Sequence, residues 1–429
     1  MFSSHTFLSL LLIACTAVDA SLVSRSTGKA TLPFMTKLNE RRSLHIVDAD
    51  RTRVQAMSQT GHLKKRDMPE VGITNAMFIY TAEVGVGDPA TNYSLLIDTG
   101  SANTWLGSGT KSYVPTKTSR DTGEVFSIRY GIGNATGKVW NDTISFSPSL
   151  IISEQAIGVA NSSDGFDYLD GILGVGPTDL TNHTVRGVDR IPTVMDNLFS
   201  QGTISEESLG IYFMPAAGTT KTGELTFGGY DDSVIVGPVT YVPLTKTRPT
   251  SLYWGITQSI SYGSDMILPP ANGFVDTGST LIYIASDAYE QYKNKTGAIY
   301  DPATQLLKIT AEQYDNLKPL VFNIGDAEYE LTANAQIWPR SLNALNNGTS
   351  DGIYLVVSDI GSLKMTGCNF IAGYTFLYVY YILSFKHAWL IQGAWGCLLC
   401  YSERFYSVYD TTHGAVGFAK TNYTYADVN

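Results

Sequence analysis

Two aspartates stand in the same tetrapeptide, Asp-Thr-Gly-Ser, at Asp98–Ser101 and again at Asp276–Ser279. An apolar run leads into each, Leu95-Leu96-Ile97 before the first and Gly273-Phe274-Val275 before the second. Two carboxylates brought close together cannot both ionise easily, so one pKa rises and the other falls. The ionised member can take a proton from water as that water attacks a carbonyl carbon. The protonated member can hydrogen-bond to the carbonyl oxygen and stabilise the tetrahedral species. Such chemistry needs no metal ion, no cofactor and no covalent intermediate.

Each neighbour in the motif has a physical use. Thr99 and Thr277 can hydrogen-bond across the interface between two halves of the molecule and stiffen both loops. Gly100 and Gly278 let backbone amides come close to the carboxylates. Ser101 and Ser279 can donate to the outer carboxylate oxygens and fix their rotamers.

The elements that must carry these loops read as β. From Phe78 onward, short runs rich in Tyr, Val, Ile and Thr alternate with Gly, Asn, Asp and Ser clusters, as in Phe78–Val86, Glu124–Tyr130 and Gly223–Gly228. Short helices are expected at Ile191–Ser200 and Ser286–Lys295, each closing near a glycine. Asp98 and Asp276 lie 178 residues apart, and each is followed by an apolar-apolar-Gly string, Ile172-Leu173-Gly174 and Ile371-Ala372-Gly373. The chain therefore reads as two copies of one β unit, divided into residues 67–245 and 246–429, and 429 residues suffice for two full cores.

Two further segments precede the first unit. Leu8–Ala14 is an apolar run too short to span a bilayer, and Val18-Asp19-Ala20 suits leader cleavage, so residues 1–20 read as a signal peptide and the chain as secreted. Residues 21–66 carry ten Lys or Arg against three Asp or Glu and end in Lys64-Lys65-Arg66, a dibasic processing site. They read as a propeptide and inhibitor of its own enzyme. What remains has 19 basic and 35 acidic residues, a formal charge of −16, so charge can hold the propeptide until acid protonates the carboxylates. An acidic body excludes nucleic acid as a partner, and nothing points to a membrane or to an assembly beyond the monomer. Eight Asn-x-Ser/Thr sequons, from Asn92 to Asn422, suit a secreted glycoprotein.

The weaker motifs are bland. Cys397 and Cys400 form a C-x-x-C with no ligand set around it, and without Cys15 and that pair only Cys368 is left, so no disulfide framework is expected. Gly131–Gly133 lacks the helix of a phosphate loop and reads as a hairpin turn. Gly348–Gly352 matches a serine-hydrolase elbow only formally and reads as loop.

Several long motifs in order show a resemblance: Leu95–Leu106, Gly165–Pro177, Gly223–Gly229, Leu331–Arg340 and Arg404–Thr412. From about Phe78 to the C-terminus the chain resembles pepsin-like aspartic peptidases, and among them the polyporopepsin group of fungal enzymes. The resemblance implies an all-β, bilobal fold of two pseudo-symmetric, six-stranded-barrel-type lobes with the active site in the cleft between them. It implies an acid endopeptidase acting on polypeptides, with Asp98 and Asp276 as the catalytic pair. Tyr130 would be the tyrosine of a flap whose turn holds Gly131 and Gly133, and Trp105 the residue packed against it. Ile132 departs from the polar residue usual in the flap, and Tyr374 stands where many relatives have Asp. Two other classes stay open: a catalytically silent pepsin-fold binding protein, and a two-carboxylate glycosidase.

Tyr378–Ser402 interrupts this pattern. Without these 25 residues Phe376-Leu377 joins Glu403-Arg404-Phe405, as in the family. The segment has no acidic residue, one lysine and two cysteines. It reads as a retained intron of in-frame length, with codons at both ends compatible with splice sites. The rivals are a membrane helix from Phe370, which Lys386 and His387 split, and a surface insertion, which would expose an apolar patch. If translated, the segment is expected to disrupt the second lobe, because it lies beside the strand that supports Asp276.

Overall fold

The computed structural model describes residues 28–38, 46–59, 78–109, 111–130, 133–166, 169–213, 223–361, 367–382 and 399–427. The leader, the Lys64–Arg66 site, Gly131, Ile132 and Cys397 lie outside them. Strands dominate, and two sheets carry the architecture.

The larger sheet has thirteen strands. One end orders them as Ile235–Pro243, Ala415–Thr421, Phe405–Asp410, Ser208–Phe213, Gly223–Phe227, Ala30–Leu38 and Phe78–Val86. The C-terminal hairpin of the chain is thus built into the same sheet as strands from its first half. The sheet continues through Thr91–Asp98, Gly171–Gly174, Thr104–Leu106, Leu150–Asp164, Gly133–Ser147 and Arg120–Tyr130. The last two form the hairpin ending at Tyr130 and Gly133, which are paired across it. The second sheet has seven strands, with Asp265–Val275, Phe370–Ala372 and Ile282–Ile284 side by side near its centre.

The duplication shows in the pairing. Leu95–Asp98 runs parallel to Gly171–Gly174, with Leu95 opposite Gly171 and Asp98 opposite Gly174. In the second half Gly273–Val275 runs parallel to Phe370–Ala372. Each aspartate therefore leaves the end of a buried strand braced by the apolar-Gly string of its own half. Parallel strands covered on both faces read as continuous apolar runs, and Leu95, Ile97, Phe274, Val275, Ile371 and Ala372 are all buried.

The two short helices form with small shifts. The first is Val194–Ser200, begun by Thr193, whose hydroxyl accepts from the Asp196 amide while Asp196 accepts from the Thr193 amide. The second is Ser286–Thr296, stopped by Gly297 at φ +68°.

The N-terminal segment contributes two elements that composition did not reveal. Ala30–Leu38 is a full strand between Gly223–Phe227 and Phe78–Val86. A helix, α1 (Ile46–Gln59), follows, with Ile46, Val47, Val54 and Met57 buried in the main core. Strand pairing and apolar burial hold it, together with the ion pairs of Lys29 with Asp232 and of Arg53 with Asp98 and Asp276.

The described strands beside residues 378–402 keep their pairing, without the expected disruption. The chain leaves the second half as strand Tyr378–Ile382 and returns as Leu399–Glu403, antiparallel, with Tyr378 opposite Glu403. The Phe376 and Phe405 rings on either side of the excursion lie 5.3 Å apart. Phe370–Ala372 keeps both of its neighbours. An excursion that starts and ends at one point leaves the strands beside it in place.

Candidate active site

Asp98 and Asp276 meet at the ends of their strands, and both are fully buried. The surroundings of the two carboxylates are near copies. Gly100 N–H donates to Asp98 Oδ1 at 3.0 Å and Gly278 N–H to Asp276 Oδ1 at 3.0 Å. Ser101 Oγ donates to Asp98 Oδ2 at 2.6 Å and Ser279 Oγ to Asp276 Oδ2 at 2.6 Å. The loops are tied to one another through Thr99 and Thr277. Each backbone amide donates to the other residue's hydroxyl, at 3.2 and 2.9 Å. Gly100 has to be glycine: a Cβ there would stand 2.5 Å from Asp276 Oδ1.

The aromatic neighbours assemble beside the pair. Trp105 Nε1 donates to Tyr130 Oη at 2.7 Å, and the Phe166 ring meets both rings edge-on. Burial and the nearby Asp98 charge hold the Tyr130 phenol far above its ordinary range, so it stays protonated. Gly133 is buried, and its Cβ would overlap the Asp164 carbonyl. Tyr374 is buried, with its amide donating to the Ser279 carbonyl at 2.8 Å and its ring against Tyr80.

Sequence reasoning missed one residue of this site. Arg53 of α1 inserts its guanidinium between the carboxylates. Nε donates to Asp276 Oδ2 at 2.8 Å, and Nη2 donates to Asp276 Oδ1 at 2.8 Å and to Asp98 Oδ1 at 2.5 Å. The planar fork of arginine matches a carboxylate in this two-pronged way. Burial works to raise the Asp276 pKa, but the guanidinium outweighs it and holds the carboxyl below its usual range. The same two carboxylates hold Arg53 firmly in its charged form against burial. A signal was present in the sequence, since residues 21–66 are rich in basic groups. Which of them points at the carboxylates is set by helix phase and docking.

Among the described residues no cluster of side chains could hold a metal ion. The arrangement is a pair of near-equivalent carboxylates in donor-rich loops. It is suited to sharing a proton and to acting on a carbonyl and a water held between them.

The family model for eukaryotic aspartyl proteases matches residues 79–387. The chain belongs to that family. This aspartic protease is 49% identical over 363 residues to polyporopepsin of Irpex lacteus, covering 84% of this chain and 99% of that one. It is 33% identical over 288 residues to rhizopuspepsin-1 of Rhizopus niveus, covering 64% and 71% of the two chains. The crystal structure of the aspartic proteinase from Irpex lacteus superposes with a TM-score of 0.73 at 44% identity, covering 94% of this chain and all of that one. The enzyme is an aspartic-type endopeptidase with the pepsin-like, bilobal all-β fold, and it acts on polypeptides.

Proposed function

We propose that this aspartic protease is a secreted, monomeric acid endopeptidase made as a zymogen, that Asp98 and Asp276 are its catalytic pair, and that the present form is the inhibited one. The observation that carries the reading is the Arg53 guanidinium lodged on both carboxylates. A buried carboxylate pair fully engaged by a cation has no room for the attacking water. Residues 1–20 are then the leader, 21–66 the prosegment, 67–245 and 246–429 the two lobes, and residues 378–402 a segment spliced out of the active product. The leader and the eight sequons support secretion.

With the prosegment gone, the pair holds one proton and one water. The ionised aspartate takes a proton from that water as its oxygen bonds to the peptide carbonyl carbon. The protonated aspartate donates to the carbonyl oxygen, giving a neutral tetrahedral diol. The first aspartate then passes its proton to the amide nitrogen, the C–N bond breaks as a diol hydroxyl gives its proton to the second aspartate, and the carboxyl and amine products leave the pair singly protonated again. Gly100 N–H, Gly278 N–H, Ser101 and Ser279 hold both carboxylates in place throughout. The Tyr130 hairpin closes over an extended peptide, with Trp105 fixing the phenol.

The test is cleavage of a protein substrate by the purified full-length chain before and after exposure to about pH 3. Activity that appears only after acid, is blocked by a statine peptide and is lost in Asp276→Asn supports the reading. Full activity at neutral pH without processing, or activity retained in Asp276→Asn, overturns it.

A further inference from the structure

Asp50 lies one helical turn before Arg53 on α1 and is buried. Its carboxylate is held by a stretch of chain that runs on from Asp276. Thr280 N–H donates to both oxygens at 3.0 and 2.9 Å, Leu281 N–H donates at 2.8 Å, and the Tyr283 hydroxyl reaches Oδ2 at 3.2 Å. The ionisable groups facing it are Asp276 from the loop and Tyr283 from the strand Ile282–Ile284, while Asp48 and Arg51 of its own helix act on Tyr283. Arg51 turns instead to Gln305, and Arg53 to the carboxylate pair. One face of α1 therefore carries two polar plugs of opposite charge, set side by side on the second DTGS loop and its continuation.

We propose that Asp50 is a second inhibitory latch, one that keeps α1 docked on Thr280–Tyr283 under the acid conditions that open the Arg53 latch. The proposal rests on the zymogen reading above. The two latches respond to protons in opposite directions. Arg53 pairs with a carboxyl held below its ordinary range, so its contribution is present at neutral pH and is lost as pH falls through that lowered value. Asp50 behaves the other way. Burial, helped by the charge of Asp276, drives its carboxyl up to about 7 against the pull of the Thr280 and Leu281 amides and the Thr280 hydroxyl, whereas a free side chain titrates near ~3.9. Docking therefore takes up a proton between these values. The Asp50 contribution is fully present below about pH 4 and is lost as pH rises through about 7. The protonated acid still offers its carbonyl oxygen to the two amides. Beside it lies the buried Thr280 hydroxyl, which can accept the O–H of the protonated acid. Acidification thus frees the carboxylate pair of Arg53 while the helix remains on the second lobe, and the latch sets how long that intermediate lasts.

The test follows conversion of the full-length chain to the mature form on gels between pH 3 and 8, with activity before conversion read alongside. Asp50→Ala is expected to convert at least about tenfold faster than wild type near pH 4, as befits loss of a buried hydrogen-bonded group, and to match wild type above pH 7. Arg53→Gln is expected to show its largest effect at the neutral end, as activity without acid. Asp50→Asn, which keeps a neutral group of the same shape, should convert like wild type in acid and leak less than wild type above pH 7. Mature enzyme from every variant should have the wild-type kcat/KM, because the substituted residues leave with the prosegment. A wild-type conversion rate for Asp50→Ala near pH 4 overturns the latch even if Arg53→Gln is derepressed. Should Asp50→Ala fail to fold, wild-type leakage of Asp50→Asn above pH 7 overturns it. Wild-type behaviour of Arg53→Gln at every pH, with activity before conversion, sinks the zymogen reading itself.

Discussion

Thr99 and Thr277 exchange hydrogen bonds between the two halves of the molecule, each amide donating to the other's hydroxyl at 3.2 and 2.9 Å. Both side chains are buried. No solvent replaces a lost partner there, so each hydroxyl fixes the position of the opposite loop and of the aspartate one residue before it.

Thr99→Val or Thr277→Val keeps the shape and leaves one buried amide unsatisfied, at a cost of about 1–3 kcal/mol. Each single variant is expected to melt lower and to lose kcat more than substrate affinity, since the carboxylates shift relative to each other. Thermal melts and kcat/KM of the activated enzyme check this. An unchanged kcat in a variant that melts lower would show that the exchange is structural only.

The Arg53 contact gives a pH prediction with a definite sign. Asp276 is held below the ordinary carboxyl range, so the docked segment gains stability above that range and loses it as pH falls. Arg53→Lys keeps the charge but cannot span Asp98 and Asp276 with a planar fork. Its conversion threshold is expected to move toward neutral, read as the pH of half-conversion on a gel. A threshold at or below the wild-type pH contradicts the reading.

The parts of this site that were legible in the sequence are those the chemistry itself requires. Asp98, Gly100 and Ser101 recur as Asp276, Gly278 and Ser279 because each carboxylate needs the same close amide and the same hydroxyl. The strand Phe78–Val86 was readable because its residue types suit a half-buried pleated surface. Ala30–Leu38 was not, for it holds Pro33, which lacks a ladder donor and argues for an edge, yet the strand has neighbours on both sides. Arg53 and Asp50 were hidden for another reason. Three residues of α1, Arg51, Arg53 and Asp50, lie close in sequence, but a difference of two positions turns Arg51 to Gln305 and Arg53 to the carboxylates. That phase comes from burial of Val47, Val54 and Met57 against partners that no local pattern names.

Tyr130 accepts the Trp105 N–H at 2.7 Å. Tyr130→Phe leaves that indole donor without its partner and loosens the hairpin over the cleft. Loss of one such bond costs about 1 kcal/mol, or roughly fivefold, in kcat/KM. Steady-state kinetics on a peptide substrate measures it, and an unchanged value would separate Trp105 from positioning of the flap.

Glu207 gives a second pH prediction, of opposite sign to that of Asp276. Burial first, and then the hydrogen bond and charge of Asp196 with the charge of Asp410, push its carboxyl up to about 7. Its backbone is tied to the C-terminal hairpin through Thr412 and Thr411, while Asp196 caps the helix Val194–Ser200. A raised carboxyl contributes stability that is full below about pH 4 and is lost as pH rises through about 7. Melting temperature should therefore fall between pH 5 and 8, and Glu207→Gln should flatten that fall. Parallel curves for the two proteins would assign the loss elsewhere.

The last prediction concerns residues 378–402. Tyr378 and Glu403 are register partners across the base of the excursion, and the Phe376 and Phe405 rings are already in contact distance. Joining Leu377 directly to Glu403 therefore closes a gap that the fold has already closed. Phe370–Ala372, which receives the Asp276 amide on its Ala372 carbonyl at 3.1 Å, has no cause to move. The deletion variant is expected to fold with a melting temperature at least equal to that of the full chain, and to convert and cleave after acid. The longer chain keeps the same support for Asp276, so its activity after conversion should lie within a few-fold of the deletion variant. It should also aggregate more readily, since an apolar excursion with one lysine and no acidic residue offers a sticky surface. Side-by-side melts, light scattering and peptide cleavage decide it. A deletion variant that fails to fold while the full chain is active would show that the segment is part of the working protein.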